Sequence, residues 1–188
     1  PDHLKNFILS IKNKKVCIDK STSSIYFENL FKKNNQIFKG EDFIYLLKSV
    51  KNQVEIDQIK KAHIYDGVAL TKFIFWLKDN FRKFPISEIA AEKKLLSFRK
   101  RNRRFKFLSF PTISSTGSNG AIVHYRATPE TNKVLKKGNL YLVDSGGQYF
   151  YGTTDVTRTL SLDNKNYRIK NIYTRVLKGH IAVAKFKI

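Results

Sequence analysis

The chain has 188 residues, 41% hydrophobic and 13% aromatic, enough to fill the core of one ordinary domain or parts of two and too apolar for a disordered chain. The single cysteine, Cys17, rules out an internal disulfide and a cysteine-based zinc site and fits a reducing compartment. No run approaches the ~18–20 apolar residues of a membrane-spanning helix, so no membrane partner is expected. The formal net charge of +21, from 36 Lys and Arg against 15 Asp and Glu, raises the question of nucleic acid. The lysines, however, are scattered along the whole chain among Ile, Asn and Phe, which reads as compositional bias and argues against a nucleic-acid partner. The chain opens on Pro1 rather than Met, so its beginning is expected to lie upstream.

Residues 1 to about 43 hold a strand-like Lys15-Val16-Cys17-Ile18-Asp19, turn chemistry at Ser21 to Ser24, and Ile25-Tyr26-Phe27 leading into Glu28-Asn29-Leu30-Phe31. That is too little for a core of its own and reads as the tail of an upstream α/β domain. A short strand or helix from Asp42 through Leu47 passes into a link ending near Asn52. From Gln53 the residues Ile59, Ala62, Asp66, Ala69, Leu70, Phe73 and Leu77 recur at three- and four-residue steps, predicting one long helix over about 53–80. Pro85 breaks it, and Ser87 is placed to cap a second helix over about 88–100. Arg99-Lys100-Arg101, Arg103-Arg104 and Lys106 end that helix as a solvated basic cluster, with a polyanion-binding patch as the alternative.

Phe105, Phe107, Phe110 and Ile113 read as one strand, Ser114 to Gly120 as a loop, and Leu140 to Val143 as a strand running into an Asp144-Ser145-Gly146-Gly147 turn, from which a strand centred on Asp155 returns. Ile169, Ile172, Tyr173, Val176, Leu177 and Ile181 predict a closing helix over 166–186. Helices before a β-ribbon before a helix indicate an α+β fold.

Asp144 and Asp155 are eleven residues apart, and antiparallel pairing could set the two carboxylates side by side. Carboxylates that close repel unless they share a proton or a cation, and oxygen ligands suit Mn, Mg, Co or Zn. The plainer reading makes Asp144 a turn residue and Asp155 a solvated one. His124, expected near a strand end, could act on a substrate oxygen or be a half-buried histidine bonded to backbone. His63 and His180 read as structural, and Arg158 as either paired or exposed. Ser145 has no nearby His and Asp arrangement, and neither a nucleophile elbow nor a phosphate-cradling glycine loop occurs.

Four segments together resemble one family. Gly120-Ala121-Ile122-Val123-His124-Tyr125, Leu142-Val143-Asp144-Ser145-Gly146-Gly147-Gln148-Tyr149, Gly152-Thr153-Thr154-Asp155-Val156-Thr157-Arg158-Thr159 and Thr174 to Ala182 are similar to the Xaa-Pro aminopeptidases of the pita-bread (creatinase/aminopeptidase-like) metallopeptidases. Lys51-Asn52, Glu55, Ala62-His63, Asp66-Gly67, Phe73 and Trp76-Leu77 fit the first long helix of their catalytic domain. The resemblance covers roughly residues 45–188. It implies that residues 1–44 are the tail of a middle α/β domain and 45–188 the first half of the pita-bread domain. It further implies proline-containing peptides as substrates, a homodimeric parent in the cytoplasm, and two divalent ions, Mn foremost with Zn or Co as alternatives. Asp144 then corresponds to a bidentate ligand of one ion, Asp155 to the carboxylate bridging both, and His124 to the catalytic histidine that contacts the substrate.

A later histidine and two later glutamates of the family pattern have no counterpart here, so an inactive piece with an incomplete metal site is expected. Two departures stand out: Tyr151 where an acidic residue is usual, and Tyr65 where a basic one is. A non-catalytic relative acting through a partner or a polyanion, and one half of a split enzyme, are the competing readings.

Overall fold

The computed structural model describes residues 2–163 and 165–187. The chain divides into two compact units, residues 1–52 and 53–188. In the first, helix α1 (Asp2–Ser10), strand β1 (Lys15–Ile18), helix α2 (Ile25–Lys32), strand β2 (Gln36–Lys39) and helix α3 (Phe43–Ser49) follow one another. The two strands pair in parallel, with Val16 opposite Ile37. Ser24 caps α2 by accepting from the Tyr26 N–H at 3.3 Å, and Asp42 caps α3 by accepting from the Ile44 N–H at 2.9 Å. The ambiguous stretch after Asp42 is thus a helix. Ile8, Ile18 and Leu30 are the buried apolar side chains of this unit.

The second unit opens with helix α4 (Gln53–Asn80), which buries Ala62, Asp66, Ala69, Leu70, Phe73 and Leu77, the periodic face anticipated from sequence. Helix α5 (Glu88–Arg99) begins where Ser87 Oγ accepts from the Ala90 N–H at 3.1 Å. Among the described residues six strands follow, in two antiparallel sheets. One, in the order β4-β5-β8, joins Ile113–Thr116, Leu140–Ser145 and Val156–Ser161; the other, β3-β6-β7, joins Phe105–Leu108, Gly147–Tyr149 and Gly152–Thr153. Leu70, Phe73 and Leu77 of α4, Ile86, and Ala91 and Leu95 of α5 pack with Tyr141 and Val143 of β5, Leu135 and Leu162 in one core. At ~25 cal/mol per Å² of apolar surface removed from water, that contact is the main force holding the helices on the sheet. The closing helix, α6 (Tyr167–Lys185), is capped by Asn166, which accepts from the Arg168 N–H at 2.9 Å, and it leaves Ile172, Tyr173, Val176, Leu177 and Ile181 exposed.

Several expectations are corrected. The single strand from Phe105 to Ile113 is two strands in different sheets, because Pro111 lacks the N–H a continuous ladder needs. Ser114 to Thr116 belong to β4 rather than to a loop, and Gly117–Ala121 form a short 3-10 helix. Asp144 lies inside β5 and not in a turn, since the strand runs through Ser145. Asp155 sits between β7 and β8 rather than at the centre of a strand. Among the described residues no helix is long and apolar enough to cross a membrane.

Candidate metal centre

The register of β5 against β8 sets Asp144 opposite Thr157 and Ser145 opposite Val156. Asp155, two residues before Thr157, directly precedes β8 and so lies at the same end of this strand pair as Asp144. A cavity of about 450 Å³ is lined by Asp144, Asp155, His124, Arg126, Phe110, Pro111 and Ile113. All three residues singled out from sequence thus face one space, although His124 reaches it differently from what was expected. It stands in a turn with φ 54°, the left-handed region, rather than at a strand end. That conformation is uncommon outside glycine and holds only where the surroundings impose it.

The backbone fixes the spacing of the two aspartates. Gly146 follows β5 at the point where the chain passes into the other sheet, and a Cβ there would collide with the Thr154 carbonyl and Ser109 Oγ. Thr154 Oγ1 accepts from the Gly147 N–H and the Thr154 N–H donates to the Gly147 carbonyl, both at 2.9 Å, while Ser109 Oγ donates to the Thr154 carbonyl at 2.8 Å. The neighbours of Asp144 and of Asp155 are thereby tied to each other.

Asp144 Oδ1 is buried and has no hydrogen-bond partner among the described residues. A buried polar atom without a donor is costly, and most such atoms in folded proteins are paired. A divalent cation fits the pair of carboxylates beside it. The described residues nevertheless contain no cluster of three or more His, Cys, Asp or Glu able to hold a metal. The fit is that of part of a ligand set.

Nearby carboxylates are arranged quite differently. Asp66 is fully buried, and it accepts from Arg99 Nε at 2.7 Å, from Arg99 Nη2 at 3.0 Å and from the Tyr149 hydroxyl at 2.7 Å. Burial pushes its pKa up, but the hydrogen bonds and charge of Arg99 and the bond from Tyr149 outweigh that and hold it below the usual carboxylate range. Burial, reinforced by the bond to Asp66, drives the Tyr149 hydroxyl upward. Arg99 Nη2 also donates to Ser145 Oγ at 3.0 Å, which gives that serine a structural role. Arg99 is therefore no member of a solvated basic cluster, as expected from sequence, because it is completely buried against Asp66.

Glu88, also buried, accepts from the Thr116 and Lys133 N–H groups at 2.7 and 3.0 Å, from Asn119 Nδ2 at 3.0 and 3.1 Å and from the Tyr125 hydroxyl at 2.9 Å. Neither network was foreseen. Of the remaining residues, His63 Nδ1 lies 2.9 Å from the Ile59 carbonyl. Arg158 is exposed and donates to the Thr157 carbonyl. His180 is exposed on α6, which corrects its reading as a structural, packed histidine.

An α+β domain in which two helices pack on antiparallel sheets is the fold of a pita-bread metallopeptidase. Residues 57–187 match the profile of metallopeptidase family M24, and the chain belongs to that family. It is 42% identical over 176 residues to Xaa-Pro aminopeptidase ApepP of Drosophila melanogaster, an alignment covering 93% of this chain and 28% of that protein. It is 40% identical over 185 residues to Xaa-Pro aminopeptidase 1 of Dictyostelium discoideum, covering 94% and 28%. Among solved structures, the X-prolyl aminopeptidase of Caenorhabditis elegans, described as a cytosolic enzyme with a di-nuclear active site, superposes with a TM-score of 0.74 at 27% identity, covering 89% of this chain and 28% of that one. The chain thus spans little more than a quarter of the length of these relatives.

Proposed function

We infer that the chain carries the first half of the catalytic domain of a metal-dependent Xaa-Pro aminopeptidase, an enzyme that removes an N-terminal residue preceding proline. The observation that carries this reading is the buried, unpartnered Oδ1 of Asp144 in a cavity shared with Asp155 and His124. Asp144 and Asp155 would hold divalent ions, Mn first, with Zn or Co as alternatives. Such ions supply a water-derived nucleophile near neutral pH and charge stabilisation at the carbonyl under attack. His124, exposed and lining the same cavity, would contact a substrate oxygen as it gains charge. Two divalent ions carry four positive charges against the two of these carboxylates, so this reading requires further anionic ligands besides Asp144 and Asp155. Residues 1–44, with their parallel strand pair, read as the tail of a preceding α/β domain, and 45–188 as half of the pita-bread domain. A cytosolic location and a homodimeric assembly accompany this reading.

The test is Mn-dependent release of arginine from Arg-Pro-Pro. The intact gene product is expected to release it and residues 1–188 alone are not. Release by the short piece would overturn the incomplete site. An intact product inert with Mn, Zn and Co alike would overturn the peptidase reading in favour of a non-catalytic relative.

A further inference from the structure

A second cavity, of about 460 Å³, shares no lining residue with the one holding the aspartates. Its walls carry Lys61, Lys72, Arg101, Arg103 and Arg104, and no carboxylate. All five cations are exposed, and none is in an ion pair with a carboxylate among the described residues. Lys61, Tyr65, Val68 and Lys72 occupy one face of α4, at successive steps of four, three and four residues, while the arginines come from the loop after α5. Like charges gathered this way repel, and what relieves the repulsion is an anion.

The wall opposite α4 is built rather than incidental. Lys61 Nζ and Arg104 Cζ stand 5.9 and 5.5 Å from the centroid of the Tyr151 ring. That ring stacks on Tyr149 at 5.9 Å and 8°. Tyr149 is held in turn by its hydroxyl bond to buried Asp66, so the cations rest on a wall anchored in the protein interior. Tyr65 and Tyr151, the two departures from the aminopeptidase pattern, meet here at 5.8 Å. An acidic side chain at position 151 would offset one of the two charges of Lys61 and Arg104; tyrosine leaves both available.

We propose that this cavity binds a small ligand carrying two or more phosphate groups. Guanidinium forks pair with phosphate oxygens bidentately and lysine adds point charge. The volume suits a small molecule. Lys61 and Lys72 are eleven residue steps apart on the helix, ~16 Å along the axis, more than a single tetrahedral anion spans. The ligand is either free polyphosphate or the phosphate chain of a nucleotide.

Isothermal titration of the intact gene product with sodium tripolyphosphate, ATP and sodium sulfate, at matched ionic strength of about 0.15 M, tests this. Saturable one-to-one binding of tripolyphosphate and none of sulfate is expected. Lys72→Glu/Arg103→Glu should weaken it about tenfold or more, as should Tyr151→Asp. Lys12→Glu/Lys33→Glu, an equal charge change at exposed positions of the other unit, should leave it unchanged, with melting curves confirming that each variant folds. Tighter binding of ATP than of tripolyphosphate assigns the ligand to nucleotides, and equal or weaker binding to free polyphosphate. Absence of saturable binding, equal losses in both charge-reversed pairs, or binding confined to long RNA with affinity growing with chain length would each overturn the proposal.

Discussion

Asp66 and Asp144 are aspartates of one compact unit, both with oxygens buried, yet their surroundings are opposite. Asp66 spends its charge inside the protein, on Arg99 and the Tyr149 hydroxyl; Arg99 carries the network on to Ser145 Oγ, and only its Nη1 has no partner among the described residues. Asp144 faces a cavity with Oδ1 unmatched. A carboxylate whose acceptors are filled by the chain works for the fold. One left with an empty acceptor at a cavity wall is available to something from outside.

The contrast is most sharply tested by Arg99→Met, which strands Asp66 in the interior and is expected to cost about 3–5 kcal/mol in urea unfolding, a large part of the ~5–15 kcal/mol a domain has. Asp66→Leu combined with Arg99→Met should recover most of that loss, since removing both charges leaves neither uncompensated. Glu88→Gln, which turns one of the two acceptor oxygens into a donor facing either the Thr116 or the Lys133 N–H group, should cost about 1–3 kcal/mol in the same measurement.

A smaller effect is expected from acid. The pKa of Asp66 is depressed in the fold, so its contribution is fully present above the ordinary carboxylate value of ~3.9 and is lost as pH falls through the folded value. Urea midpoints followed downward from about pH 5 should show this decline in the wild type and a shallower one in Arg99→Met. The smallest change belongs to Asp144→Asn, expected to move stability by no more than about 0.5 kcal/mol while abolishing any Mn-induced rise in melting temperature of the intact gene product. If Asp144→Asn destabilised the protein as much as Arg99→Met, the distinction between the two aspartates would collapse.

Much of this was legible in the sequence where local chemistry decides. The bounds of α4 follow from an apolar face repeating from Ile59 to Leu77, and the start of α5 from Pro85 and Ser87. The convergence of Asp144 and Asp155 follows from antiparallel pairing across a short connection. Contacts between distant segments were not legible. The bond from Tyr149 to Asp66 spans 83 residues, and Arg99 read as one basic residue among several at a helix end. One signal was present: Asp66 falls on the buried stripe of α4, and a charge in that position calls for a partner. The left-handed turn at His124 is set by neighbours that no periodicity reports.

With Asp144 and Asp155 as the proposed ion ligands, Gly146 has a consequence for anyone seeking a variant with altered ion preference. Since its hydrogen atom fills the only room left between the Thr154 carbonyl and Ser109 Oγ, the gap between the two acidic side chains is a backbone dimension. Libraries that randomise Asp144 and Asp155 would change donor atoms without changing that gap. Adjusting it requires varying positions 109, 146 and 154 together, none of which carries a ligand.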